Sequence, residues 1–229
     1  MRPITVELPL RGDWTAGHTP AEKVPSHGVD LLGQTYAYDF LKVDWRKEGF
    51  IFHGKSTLRF FTIGVSVNDC YGFGEPIYSP VNGEVVAVED GLTDHRWVHP
   101  IKDYLAMYIR AIYMWLSSKP DLHKIIGNYF IVKIDNMEAY AFFAHVKKST
   151  IKVNPGDKVH SGQHLADVGH TGNSTAPHLH FHLMDSANLL TAHGLPCNFK
   201  KYEAYNNGVW KIKEHGIPEK REQIRVKDA

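Results

Sequence analysis

The sequence predicts a mainly β protein, with an antiparallel β-sheet core built from hairpins and a helical insertion near 102–118. Two observations indicate the sheet. Short runs of β-branched and aromatic residues recur along the chain, and Asn-Gly, Asp-Asn or Pro-Gly turn signals accompany them. A third observation indicates the insertion, because one stretch has the period of a helix.

The strand signals follow one another in the order expected of hairpins. Residues 81–88 carry an Asn-Gly turn signal followed by a β-branched run. The runs 129–134 and 139–146 flank Asp135-Asn136 and predict a hairpin. Another short β unit is predicted over 153–168, around a Pro-Gly turn, and a last strand over 178–183.

The helical stretch has apolar residues at i, i+3, i+4, i+7, i+10 and i+11, namely Leu105, Tyr108, Ile109, Ile112, Trp115 and Leu116. Pro100 precedes it and Pro120 follows it. Its opposite face is also apolar, so we expect this helix to be buried against the sheet or a partner. Because it carries no histidine, we expect it beside the cleft or over the sheet, outside the catalytic set.

A chain of 229 residues is long enough for a single buried domain over 1–229. Two segments, about 41–72 and 91–126, are interpreted as insertions in that domain, because neither has the Pro/Gly/Ser composition of a linker. The charged stretch about 217–229 predicts a solvated, disordered tail.

Composition excludes several classes of protein. With 26 basic and 25 acidic side chains, the chain lacks the basic excess of a nucleic-acid-binding surface. No apolar run approaches the roughly 18 residues of a membrane span. The N-terminus shows no export signal, which indicates a cytoplasmic protein unless a leader has been removed, and then a protein of the cell envelope or exterior. The two cysteines predict free thiols, and the oligomeric state stays open.

The unusual feature is histidine, which occurs 15 times. His178, His180 and His182 alternate with apolar residues, so on a strand the three imidazoles share one face. Neighbouring imidazoles on one face suit a zinc ion, whereas Leu179 and Phe181 suit a core. The alternative is an exposed strand that is merely rich in histidine.

Further ligands must come from elsewhere in the chain. His27, Asp39 and His145 are candidates, and they are the right types for a His/His/carboxylate zinc site with an open fourth position. Asp30 is a second candidate for the carboxylate. It lies three residues after His27, which puts the two side chains on opposite faces of an extended strand, so we favour Asp39.

At these positions the sequence resembles the M23 metallopeptidases, the family of lysostaphin and LytM-type endopeptidases, in order from about 25 to 183. Gly74-Glu-Pro-Ile-Tyr-Ser-Pro-Val-Asn-Gly-Glu-Val-Val resembles a family hairpin, as does the stretch 153–165. Gly127-Asn128 and Ala144-His145 resemble shorter family segments. The most specific match is Gly169-His-Thr-Gly-Asn-Ser-Thr-Ala-Pro-His-Leu-His-Phe.

The resemblance implies roles for individual residues. His180 corresponds to a zinc ligand, and His145 and His178 to the catalytic imidazoles. The segment around residue 26 departs from the family pattern His-x-Gly-x-Asp. The family has a histidine four residues before the aspartate, whereas this sequence has Ser26 four residues before Asp30. We therefore expect one Zn²⁺ per chain, held by His27, Asp39 and His180.

The resemblance further implies a zinc endopeptidase that cleaves peptidoglycan stem peptides or cross-bridges. One competing hypothesis is a degenerate homologue that binds a peptide or partner without cleaving it. Another is a lipoyl-like carrier or a phosphotransfer module, because such domains share the Pro-Gly hairpin of 153–165. The sequence shows neither the modifiable lysine context of the carrier nor the lone nucleophilic histidine of the phosphotransfer module.

Overall fold

A computed structural model of the chain describes residues 2–117 and 121–226, apart from the side chains of residues 114 and 115. The strands are β1 (Ile4–Val6), β2 (Gly12–His18), β3 (Tyr38–Leu41), β4 (Val65–Ser66), β5 (Pro76–Tyr78), β6 (Gly83–Glu89), β7 (Trp97–Val98), β8 (Asn128–Ile134), β9 (Tyr140–Val146), β10 (Lys158–Val159), β11 (His164–Asp167), β12 (Leu179–Met184), β13 (Gly194–Leu195), β14 (Cys197–Asn206), β15 (Val209–Gly216) and β16 (Ile224–Val226). The helices are α1 (Thr57–Thr62), α2 (Pro100–Leu116) and α3 (Leu122–Ile126).

One large sheet dominates the fold, in the strand order β1-β14-β16-β2-β3-β12-β9-β8-β6-β10. β13 and β15 extend it from β12 and β14, and β5 and β11 form a separate two-stranded sheet. Every pairing in the large sheet is antiparallel except that of β1 with β14. The predicted mainly β class is confirmed. The predicted β unit of 153–168 differs in its pairing, because β10 joins β6 whereas β11 joins β5.

Strand β12 shows why alternation predicts this sheet well. Leu179, Phe181 and Leu183 are fully buried in the main core cluster, so the intervening histidines share the opposite face. That second face is itself covered in part, because Ile126 of α3 packs with Ile131 and Phe142 in a smaller cluster.

Two irregularities interrupt the pairing near the same end of the sheet. Between β2 and β3 the register shifts after Ala16, so that Gly17 is the extra residue and His18 lies opposite Asp39. Between β8 and β9 the register shifts so that His145 is the extra residue. Such bulges reorient side chains, and here both redirect a histidine.

The helical stripe corresponds to α2, but the predicted burial against the sheet is wrong, whereas burial against a partner stays a prediction. Leu105 is 59% exposed and Ile109 is 58% exposed, and Tyr108, Ile112 and Leu116 are also exposed; the side chain of Trp115 lies outside the described residues. The physical reason is that α3, rather than α2, packs on the neighbouring sheet face. None of the helices in the described ranges has the length and apolar character required to cross a membrane.

The predicted solvated tail is also wrong up to residue 226, and residues 227–229 lie outside the described part. Ile224 is fully buried in β16, opposite Trp14 of β2. The neighbouring Arg225 faces the other way and pairs with Glu203, with 2.6 Å between Nε and Oε2. Ile224, which alternates with the polar Gln223 and Arg225, therefore belongs to the main core. The three helices lie within the segments 41–72 and 91–126. The interpretation of these two segments as insertions stays a prediction.

Candidate metal centre

The carboxylate of Asp39 lies at the centre of a histidine cluster. Its Oδ2 is 2.9 Å from Nε2 of His27 and 3.1 Å from Nδ1 of His18. Its Oδ1 is 2.9 Å from Nδ1 of His180 and 3.5 Å from Nε2 of His178. Asp39 is only 8% exposed, so this carboxylate is surrounded by imidazole nitrogens in a largely dry site.

The register of the sheet produces this arrangement. Asp39 in β3 pairs with His180 in β12 on one side and with His18 in β2 on the other. Residues directly opposite each other in neighbouring strands have side chains within contact range. His27 comes from the loop between β2 and β3 and reaches the same carboxylate from outside the sheet.

His178 and His145 lie beside this cluster, with ring centroids 4.7 Å apart. The Nδ1 of His178 donates to the backbone carbonyl of Ala176 at 2.7 Å, and the Nδ1 of His145 donates to that of Thr171 at 2.9 Å. In a neutral imidazole bound in this way, Nε2 is the nitrogen that can accept a proton.

His145 is held in an unusual backbone conformation. Its φ of +60° lies in the left-handed region, which costs a residue other than glycine about 1–3 kcal/mol. The loop that includes Thr171 supports it, since the Thr171 hydroxyl donates to the carbonyl of Val146 at 3.1 Å. A Cβ atom at residue 172 would lie 2.3 Å from the backbone nitrogen of Gly127, so glycine is required where this loop passes the end of α3.

Outer partners orient the imidazoles that face Asp39. The Nε2 of His180 is 3.2 Å from Nδ1 of His182, and the Nδ1 of His27 is 3.1 Å from the hydroxyl of Ser26. If the outer nitrogens donate these hydrogen bonds, the inner nitrogens present lone pairs toward Asp39. Metal-ligating histidines are usually oriented in this way by a second hydrogen bond.

The pKa values of the cluster are strongly perturbed. Burial alone would raise the pKa of Asp39, but charge interactions with His27 and His178, together with hydrogen bonds from His178 and His180, hold it well below its usual value. Burial and the neighbouring imidazoles lower the pKa of His145 well below the usual value for histidine. The lowered pKa of Asp39 keeps its carboxylate ionised, which is the state that binds metal.

The structure brings together all five residues singled out from the sequence: His27, Asp39, His145, His178 and His180. Asp30, the alternative carboxylate, is exposed and accepts a hydrogen bond from the hydroxyl of Thr35. Sequence reasoning missed His18 and did not use His182.

A local signal for His18 was present. A lone glycine within a strand, here Gly17, often marks a bulge, and a bulge turns the next side chain to the other face. Within the described residues, His18, His27 and Asp39 form a group whose potential ligand atoms all lie within 4.8 Å of one another.

A family model, peptidase family M23, matches residues 64–192. Among solved structures, the catalytic domain of the antimicrobial peptidase lysostaphin from Staphylococcus simulans matches with 19% identity and a TM-score of 0.40, covering 80% of this chain and 88% of that one. The catalytic domain of a mutant of the prophage-encoded M23 protein EnpA from Enterococcus faecalis matches with 20% identity and a TM-score of 0.36, over 68% and 85% of the two chains. A zinc-containing peptidase from Vibrio cholerae matches with 20% identity and a TM-score of 0.33, over 64% and 46%. Since the family model spans more than half of the sequence, the chain belongs to peptidase family M23.

Proposed function

We propose that this protein is a zinc-dependent endopeptidase that hydrolyses peptide bonds in peptidoglycan stem peptides or cross-bridges. The observation that carries the proposal is the buried carboxylate of Asp39, with nitrogens of His27 and His180 each 2.9 Å from one of its oxygens. Membership of a peptidase family supports the reaction class. The lysostaphin match concerns an antimicrobial peptidase, and the family resemblance suggests the cell wall as substrate.

The residues fit a zinc ion. His27, Asp39 and His180 supply two imidazoles and one carboxylate, which is a typical catalytic donor set for zinc. The partners Ser26 and His182 supply the outer hydrogen bonds that such ligands need. Without a cation, His27 and His180 can interact with the Asp39 carboxylate only by donating hydrogen bonds to it. With a cation bound between them, each imidazole can direct a nitrogen lone pair at the cation.

When bound, zinc supplies Lewis-acid polarisation of the scissile carbonyl and lowers the pKa of water at the site. The protein's own contribution to proton transfer comes from His145 and His178. One of them accepts a proton from the attacking water through Nε2, and the other, in its protonated form, donates through Nε2 to the developing oxyanion. The carbonyls of Thr171 and Ala176 hold the two rings in the required orientation.

The competing hypothesis of a degenerate homologue predicts binding without cleavage. The presence of both His145 and His178 beside the carboxylate favours cleavage, because two adjacent imidazoles held by backbone carbonyls can supply the acid–base assistance that a binding protein does not use. The raised pKa of His178 reflects the charge of and hydrogen bond to Asp39, which outweigh the opposing effect of burial.

The test is incubation of zinc-loaded protein with purified peptidoglycan, followed by mass spectrometry of the released fragments. We expect new amino termini at one position of the stem peptide or cross-bridge, and no fragments from an Asp39→Ala control or after metal chelation. Zinc bound in a 1:1 ratio with no fragments from any peptidoglycan would instead support the degenerate homologue.

A further inference from the structure

His18 lies at the centre, although the family resemblance gives it no role. Its Nδ1 is 3.1 Å from Oδ2 of Asp39, the same oxygen that Nε2 of His27 contacts at 2.9 Å. The rings of His18 and His27 lie with centroids 4.9 Å apart. The two imidazoles thus approach one carboxylate oxygen from neighbouring directions.

These separations match those between ligands of one zinc ion. Bonds of 2.0–2.1 Å in a tetrahedral site place the ligand atoms about 3.3 Å from one another. The ligand atoms of His18, His27 and Asp39 all fall within 4.8 Å of each other, and the two imidazole nitrogens lie 3.1 and 2.9 Å from Oδ2 of Asp39.

The backbone is arranged to direct His18 at the site. In a regular strand without the bulge, alternation would place His18 on the same side as the buried Ala16, which is the core side of β2. The register shift instead pairs His18 with Asp39. A Cβ atom at residue 17 would lie 2.6 Å from Cδ1 of Leu41, so the Leu41 side chain would have to shift if residue 17 were not glycine.

We propose that His18 is a fourth protein ligand of the metal, so that the resting site consists of His18, His27, Asp39 and His180. This inference rests on the proposed zinc site and extends it. His18 has a side chain 48% exposed, against 18% for His27 and 10% for His180. It is therefore the ligand on the solvent side, and the one that an incoming substrate can displace.

This assignment has a chemical consequence. Four protein ligands are typical of closed, structural zinc sites, whereas catalytic sites keep one position open. A site of this kind holds its metal tightly at rest and opens its fourth position only when His18 moves away. The other explanation for the contact is that His18 only hydrogen-bonds to Asp39 as an outer partner.

Cobalt substitution distinguishes a ligand from an outer partner. Co²⁺ is added to the metal-free protein, to His18→Cys, and to a matched control, His160→Cys, which changes an exposed histidine in the turn between β10 and β11. We expect a near-ultraviolet sulfur-to-cobalt charge-transfer band in His18→Cys only. The wild-type protein and the control share the buried Cys70 and Cys197, and so correct for the native thiols.

A second measurement covers the case in which His18→Cys does not fold. X-ray absorption of the zinc-loaded proteins should count three imidazoles in the wild type and two in His18→Ala. We expect His18→Ala to lose at least about 100-fold in zinc affinity in a chelator competition, at or beyond the top of the 10–100-fold range of an outer partner.

The outcomes separate the two proposals. Ligation by His18 would be overturned if the wild type and His18→Ala gave the same imidazole count and a folded, cobalt-loaded His18→Cys showed no charge-transfer band. That result would leave the zinc site itself intact. Failure of the wild-type protein to take up either metal would overturn the zinc site itself, and ligation by His18 with it.

Discussion

The strands around Asp39 and the helix α2 differ sharply in what covers them. Asp39, His178 and His180 are each less than 10% exposed, although all three are polar. In α2, by contrast, large apolar side chains such as Leu105 and Ile109 are more than half exposed. Polar groups are thus buried and apolar groups exposed, the reverse of the usual distribution.

The comparison teaches that periodicity predicts the type of an element better than its burial. Alternation places a side chain on one face of a strand, and the hydrogen-bonded neighbours then fix what lies beside it. A helix has no such fixed neighbours. In α2, the guanidinium of Arg110 donates to the carbonyl of Gly172 at 2.9 Å, in the loop before His178.

The largest expected effect comes from removing the central carboxylate. Asp39→Ala should lose zinc and all measurable turnover, because the remaining imidazoles lack the charge and the common contact that hold the metal. Asp30→Ala is the matched control and should keep both. Zinc content is measured by elemental analysis of the purified proteins. Loss of zinc in Asp30→Ala, but not in Asp39→Ala, would transfer the ligand role to Asp30.

Part of this site could be predicted from the sequence. Asp39, His178 and His180 follow from the local alternation and from motif resemblance, both of which are read directly along the chain. His18 was missed, because its direction depends on a register shift between two strands, and the lone Gly17 does not establish that shift without the pairing. The burial of Ile224 and the exposure of α2 depend in the same way on which surfaces other segments leave free.

A smaller effect is expected at the two imidazoles beside the metal. His145→Ala and His178→Ala should each keep one zinc per chain and lose turnover by roughly 10²-fold or more, as is typical when acid–base or oxyanion assistance is removed. Zinc content and turnover are measured on the same preparations. His180→Ala, which should lose zinc, serves as the contrast. A metal-free His178→Ala protein would show that the division between ligand and catalyst on this segment is wrong.

His182 should influence the metal only through His180. His182→Leu removes the outer hydrogen-bond acceptor and should weaken zinc binding about 10- to 100-fold in a chelator competition. His182→Gln restores an acceptor near the same place and should recover part of the affinity. Equal affinities for the wild type and His182→Leu would mean that the 3.2 Å contact does not orient His180.

His170 lies between the two regions, with its ring 5.2 Å from that of His95 and its Nδ1 2.9 Å from the Ser174 hydroxyl. Burial, aided by the charge of His95, lowers the pKa of His170 to about 3. The unfolded chain binds a proton at this residue below about pH 6.5 and the folded chain does not, so folding stability falls as the pH decreases. Between pH 7 and 5 this amounts to about 2 kcal/mol.

The measurement is urea unfolding of the wild-type protein and of His170→Gln at both pH values. The wild type should lose about 2 kcal/mol more than the variant over this interval, because the other titrating groups are common to both. Parallel losses in the two proteins would show that His170 titrates normally in the folded state. A larger loss in His170→Gln would reverse the sign and contradict the buried, neutral imidazole.

The smallest effect should come from the exposed face of α2. Ile109→Ser, at a position 58% exposed, should change the free energy of unfolding by less than about 1 kcal/mol, since little apolar surface is returned to water. Phe143→Ala is the contrast in the sheet, where the ring is fully buried and stacks on Phe130 with centroids 4.4 Å apart. That substitution should cost about 3–5 kcal/mol. Both values come from urea unfolding of dilute protein. A cost for Ile109→Ser that rises with protein concentration would indicate that a second copy of the chain covers this face of the helix, because association stabilises a fold by mass action.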